Sequence, residues 1–192
     1  MLGFYNYTVI LTYIGLFGTA MGIFSALNGR ITLAILCLLF SGICDMFDGK
    51  IARTKTDRTD DEKRFGIQID SLCDLVCFNV FPAILGFAVG VRTLAGYVIL
   101  ALYMLCGVIR LAYFNVMEEN RQKETDLKRK VYTGLPVTFS AFVVPVFLAF
   151  RGFMGDHLSF LYLVLLSVLG LLQLSHIKVR KPGKGDEKVR EF

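Results

Sequence analysis

The apolar residues of this chain fall into six long runs separated by polar loops, at about 7–27, 31–52, 65–90, 94–117, 134–151 and 157–177. Each run approaches the roughly 17–25 residues that a helix needs to cross a bilayer. In hydrocarbon every backbone N–H and C=O must be satisfied within the protein, which leaves helices or closed barrels. None of the runs alternates with the two-residue period of a barrel strand. Composition agrees, since 55% of the 192 residues are hydrophobic, against about 45–50% in soluble domains. The expectation is an all-α integral membrane protein with six transmembrane helices. One domain covers 1–177, and a charged tail follows over 178–192.

The first run has no basic segment before it and exceeds the apolar core of a typical signal peptide, so it is read as a retained span. The five cysteines all lie within apolar runs and form no CxxC pair. They are expected to be free thiols rather than a disulfide framework.

The net charge is +5, but its distribution carries more information. Arg30, Arg92 and Arg151 are the basic residues of alternate loops. The remaining loops and the tail hold sixteen Lys and Arg residues: Arg53, Lys55, Arg58, Lys63 and Arg64, then Arg121, Lys123, Lys128, Arg129 and Lys130, then six more from Lys178 to Arg190. The excess of positive charge marks the cytoplasmic side, so both termini are expected there. The same clustering argues for orientation in a membrane and against nucleic-acid binding.

Four aspartates break the apolar pattern on the basic side. Asp45 and Asp48 are three apart near the end of the second run, and Asp70 and Asp74 are four apart early in the third. Both spacings place the pair on one helix face. An ionised Asp within a span costs about 2.5–3.5 kcal/mol, and crowding like charges adds to that. Divalent cations relieve both costs. Carboxylates without His or Cys suit hard ions such as Mg2+, Mn2+ or Ca2+, and four are enough for two metals with shared ligands. Gly49, Ala52 and Gly66 leave room beside the acids, and Arg53 supplies a fork suited to phosphate. Asp57, Asp60, Asp61 and Glu62 are read as a solvated loop.

Together these residues spell D-x-x-D-G-x-x-A-R, a gap, then G-x-x-x-D-x-x-x-D, through Asp45, Asp48, Gly49, Ala52, Arg53, Gly66, Asp70 and Asp74. This pattern resembles the signature of the CDP-alcohol phosphatidyltransferases. The gap from Arg53 to Gly66 is longer here than the family's usual spacing. The resemblance implies that the four aspartates hold two divalent cations, Mg2+ or Mn2+. It implies also that Asp74 acts as general base and that Gly49, Ala52, Arg53 and Gly66 contact the CDP group. A homodimer is implied in the same way, while the basic loops beside the acids put the expected active site on the cytoplasmic face of the cell membrane.

Two further segments, RLAYFNV from Arg110 and GLP from Gly134, look like the phosphatidylserine synthase branch, with Tyr113 where that branch has a second arginine. CDP-diacylglycerol and serine are then the expected substrates, and CMP the product. Arg110 fits a carboxylate, and the side-chain oxygen of Asn115 an ammonium or hydroxyl. Arg110 read structurally is an interfacial anchor. Tyr113, Phe114 and Tyr132 leave open an aromatic cage for choline, and glycerol phosphate or inositol phosphate are the other acceptors. From a different class, acids within spans also mark ion-coupled transporters. That reading expects acids in both halves of the membrane. His157 and His176 are read as interfacial residues.

Overall fold

A computed structural model of the chain describes residues 7–52, 59–124, 131–175 and 178–180. Five helical stretches are long and apolar enough to cross a membrane: Val9–Leu27, Ile31–Ile51, Asp60–Ala88, Leu94–Asn120 and Arg151–Leu174. A shorter apolar helix, Val137–Ala149, completes the set. The chain is therefore an all-α, multi-pass membrane protein, as its hydropathy predicts.

In chain order the helices are α1 (Tyr7–Leu27), α2 (Ile31–Ala52), α3 (Asp60–Leu75), α4 (Phe81–Ala88), α5 (Leu94–Glu124), α6 (Ser140–Ala149), α7 (Arg151–Met154) and α8 (Leu158–Leu174). A π turn, Val76–Val80, joins α3 to α4 without leaving the span. α1 and α2 form a hairpin that touches through glycines. A Cβ on Gly15 would sit 3.1 Å from the Cβ of Cys44, and one on Gly22 would sit 2.7 Å from the Cβ of Cys37 and 2.5 Å from the Phe81 ring of α4. Gly42 of α2 admits Ala141 of α6 in the same way. Small residues at such crossings allow the close backbone approach on which helix association in lipid depends.

Three boundaries differ from expectation. α3 begins at Asp60 rather than near 65, because Thr59 and Glu62 form a capping box, each side chain accepting from the other's backbone N–H. Asp60, Asp61 and Glu62 are thus the first helical turn and not loop, where acids favour the positive end of the helix dipole. Asp57 lies outside the described residues. α5 runs seven residues beyond 117, to Glu124. At 1.5 Å per residue its last turns extend past a hydrocarbon layer of about 30 Å.

The fifth apolar run, expected over 134–151, is shorter as a helix. Gly134 turns with φ +79°, and the Leu135 N–H donates to the Leu172 carbonyl of α8 at 3.1 Å. Pro136 is extended, so helix begins only at Val137. The first residues of the tail also fold back. Lys178–Arg180 (β2) pairs antiparallel with Val131–Thr133 (β1), with Tyr132 opposite Val179.

The π turn is held from three sides. Pro82 has no N–H to offer the Phe78 carbonyl four residues earlier. That carbonyl instead accepts from the Tyr103 hydroxyl of α5 at 2.9 Å and from Ser140 of α6 at 2.8 Å. Next to it the fully buried Asn79 amide donates to the Tyr103 carbonyl and to Gln173 of α8. Backbone groups freed inside a membrane are re-satisfied by neighbouring helices in this manner. The apolar core surrounds this point, with Phe78, Phe81, Leu38, Leu85, Val144, Tyr162 and Leu166 all buried.

Candidate active site

α2 and α3 present their acidic faces to one another near one end of the bundle. One carboxylate oxygen from each of Asp45, Asp70 and Asp74 lies within 4.8 Å of the others. All three residues are half-buried. Read structurally, the four aspartates would be interfacial charges paired with Arg53, Lys50 and Arg64; among the described residues none of them makes an ion pair, and Arg53 lies outside those residues. Lys50 lies over the Phe47 ring instead. Unit charges at this separation repel by at least about 3.5 kcal/mol per pair at an effective dielectric near 20. An all-oxygen group of this kind fits a hard divalent cation, and no thiol or imidazole takes part in it.

Asp48 is placed differently. It is only 6% exposed, and its Oδ2 accepts a 2.9 Å hydrogen bond from the Thr12 hydroxyl of α1. Three of the four predicted ligands therefore converge directly, while the fourth is gripped from the first helix. Gly49, one turn after Asp45, faces open space, and a Cβ there would meet nothing within 4 Å. Gly66 lies on α3 one turn before Asp70 and is half-buried. Ala52 ends α2, but its side chain and all of Arg53 lie outside the described residues.

α5 carries the predicted acceptor residues. Arg110 is half-buried and sits 5.2 Å from the Phe114 ring. Asn115 is half-buried too, and its Oδ1 accepts from the Ser71 hydroxyl at 2.8 Å. Ser71 stands between Asp70 and Asp74, so this bond ties α5 to the acidic helix. The oxygen that sequence reasoning assigned to the acceptor is thus already engaged by the protein. Tyr113 is 53% exposed and is not brought to the acids by any described contact. Tyr132 has no described side chain, and the aromatic cage is not assembled from described residues.

Two residues of this region, Thr12 and Ser71, escape the sequence reading. Thr12 begins a stripe of small and polar residues at helical spacing, with Gly15, Thr19 and Gly22. That stripe marks a face turned to protein rather than lipid, but it does not name the partner. Thr19 continues the contact, bonding Ser41 of α2 at 2.8 Å and Cys77 at 3.0 Å. The cysteines are free, as expected.

Comparison with known proteins agrees with this geometry. Over residues 5–174 the chain matches the model of the CDP-alcohol phosphatidyltransferase family. It is 30% identical to the CDP-diacylglycerol–serine O-phosphatidyltransferase of Bacillus subtilis, over 92% of this chain and 88% of that protein. It is 35% identical to the Saccharomyces cerevisiae protein of the same name over 62% of this chain, a match that spans 43% of the yeast protein. The archaetidylserine synthase of Methanothermobacter thermautotrophicus is 30% identical over 83% of this chain and 64% of its own length. With its spans and its two facing acidic pairs, the chain belongs to the CDP-alcohol phosphatidyltransferase family.

Proposed function

We propose that this protein transfers the phosphatidyl group of CDP-diacylglycerol to the hydroxyl of L-serine and releases CMP. The observation that carries the reading is the convergence of Asp45, Asp70 and Asp74 beside the Thr12-held Asp48. The acceptor is supported by the relatives, whose names have serine in common.

Asp45, Asp48, Asp70 and Asp74 would hold two divalent cations, Mg2+ or Mn2+. Bound there, such ions neutralise the diphosphate and the charge that develops on the leaving group. The remaining steps belong to side chains. Gly49 leaves space for the CDP group, with Ala52, Arg53 and Gly66 completing its binding surface. Arg110 offers a cationic fork for the serine carboxylate. Asp74 takes the proton of the serine hydroxyl as its oxygen forms a bond to the phosphorus bearing the diacylglycerol. The bond from that phosphorus to the CMP oxygen breaks, and CMP leaves with the electron pair. A metal-bound carboxylate is a weak base, so alignment of the hydroxyl supplies much of the effect.

The reading places the site on the cytoplasmic face of the cell membrane, on the strength of the basic loops at the acidic end. It includes a homodimer, on the strength of the family resemblance. The ion-coupled transporter is disfavoured, since the aspartates within spans gather at one end of the bundle.

The test is CMP release by purified protein from CDP-diacylglycerol, with serine, glycerol phosphate, inositol phosphate or choline in turn, each with Mg2+, Mn2+ or EDTA. Turnover with serine and a divalent ion is expected, and none in EDTA. Full activity in EDTA removes the metals, and activity only with another alcohol removes serine. The likeness to an archaetidylserine synthase supports a second donor, so CDP-archaeol belongs in the same panel.

A further inference from the structure

Ser71 lies on α3 between two of the converging aspartates, yet nothing in the chemistry above uses it. At 100° per residue it stands about 60° around the helix from Asp74. Its hydroxyl reaches across to α5 and donates to Asn115 Oδ1 at 2.8 Å, between residues 44 apart in the chain. A carboxamide is planar, with its oxygen and its NH2 at opposite corners. Anchoring the oxygen therefore turns the NH2 away from Ser71 and fixes its direction. Among the described residues Asn115 makes no other hydrogen bond, so two N–H donors remain available beside the acidic cluster.

We propose that Ser71 is a positioning residue for the acceptor: it locks the Asn115 amide so that its NH2 group meets the acceptor's carboxylate. The inference rests on the serine reading above and deepens it. A donor-only edge recognises a carboxylate and gives nothing to an ammonium. Asn115 positioned in this way discriminates an amino acid from an amino alcohol, while the metal-binding carboxylates act on the lipid diphosphate. Without Ser71 the amide is free to rotate, and part of that discrimination is lost.

The experiment is steady-state kinetics of CMP release with Ser71→Ala, Ser71→Thr and Asn115→Asp, varying serine and CDP-diacylglycerol separately at saturating metal. Thermal unfolding in detergent serves as the folding control. Ser71→Ala should raise KM for serine about three- to tenfold, the worth of one net hydrogen bond. The change in kcat and in KM for CDP-diacylglycerol should stay within about twofold, since an interaction equal in ground and transition states alters KM alone. Ser71→Thr keeps the hydroxyl and should restore the serine KM. Asn115→Asp still accepts from Ser71 but loses both donors, so its serine KM should rise at least as far as that of Ser71→Ala. Unchanged serine kinetics in Ser71→Ala would overturn the inference, as would equal defects in the Ala and Thr variants or a loss confined to kcat. In each of those cases wild-type turnover of serine leaves the serine reading standing. A wild type that uses only a carboxylate-free alcohol overturns both.

Discussion

The hydrogen bond from Thr12 to Asp48 gives α1 a part in a site that otherwise belongs to α2 and α3. A buried carboxylate held by one donor keeps one rotamer, and a ligand already in place costs less to bind. Thr12→Val keeps the shape and removes the donor. We expect the divalent-ion concentration for half-maximal binding to rise by about three- to tenfold, the worth of one such bond. Mn2+ titration followed by electron paramagnetic resonance measures it, and Thr12→Ser should bring it back. An unaltered titration would mean that Asp48 is oriented without Thr12. Asp74→Asn tests the base. Its amide has the size of the acid but neither its charge nor its basicity, so kcat should fall by about 10²–10⁴. CDP-diacylglycerol binding at saturating Mg2+ should stay within a few-fold of wild type. Near-normal turnover would exclude Asp74 as the base.

At the level of elements, glycines of α1 and α2 serve different purposes, and the two uses separate by substitution. Gly22 lies in the contact of α1 with α2 and α4, where an added Cβ would stand 2.5 Å from the Phe81 ring and 2.7 Å from Cys37. Both neighbours sit on packed helices with little room to yield. Gly22→Val should destabilise by about 1–3 kcal/mol, the usual cost of overpacking, read as a lower unfolding temperature in detergent. Gly49 faces open space beside the acids. Gly49→Val should leave that temperature within a degree or two and instead raise KM for CDP-diacylglycerol. A stability loss at Gly49 equal to that at Gly22 would contradict the assignment of this space to a ligand. The π turn is a third case, since its geometry follows from Pro82 and from the hydroxyls of Tyr103 and Ser140. It lets one span turn Asp70 and Asp74 toward the site while Phe81 and Leu85 enter the core.

For the whole molecule the loop charges predict sidedness. The turns at the end away from the acids contain Arg30, Arg92 and Arg151. Arg151 donates to Thr32 at 2.8 Å, and Arg92 donates to the Phe87 carbonyl and stacks on the Phe87 ring. Arg92 thus braces its own turn and Arg151 ties the turn after α6 to the start of α2, while the denser basic segments lie in sequence next to the ends of α2, α5 and α8. Single cysteines at positions 30 and 63, in a background with the native cysteines replaced by Ala or Ser, would report the orientation through a membrane-impermeant maleimide. Arg30→Cys should label in intact cells, and Lys63→Cys only after permeabilisation. The reverse pattern would put the site on the outer face and overturn the positive-inside assignment.

The features legible in the chain itself are those with a local physical cause. Long apolar runs specify helices in lipid, and spacings of three and four put Asp45 with Asp48 and Asp70 with Asp74 on one helix face. The start of α3 is written there too, in the T-x-x-E of Thr59 and Glu62 that forms its capping box. What the tertiary structure alone decided depends on distant partners. It selected Asp45, Asp70 and Asp74 as the three carboxylates that converge, and it gave Asp48 to a threonine 36 residues away. It engaged the Asn115 oxygen with Ser71, and it shortened the sixth helix by docking Gly134 and Leu135 on the end of α8. A helical period places a side chain on a face, but only the packing of helices against one another determines what that face meets.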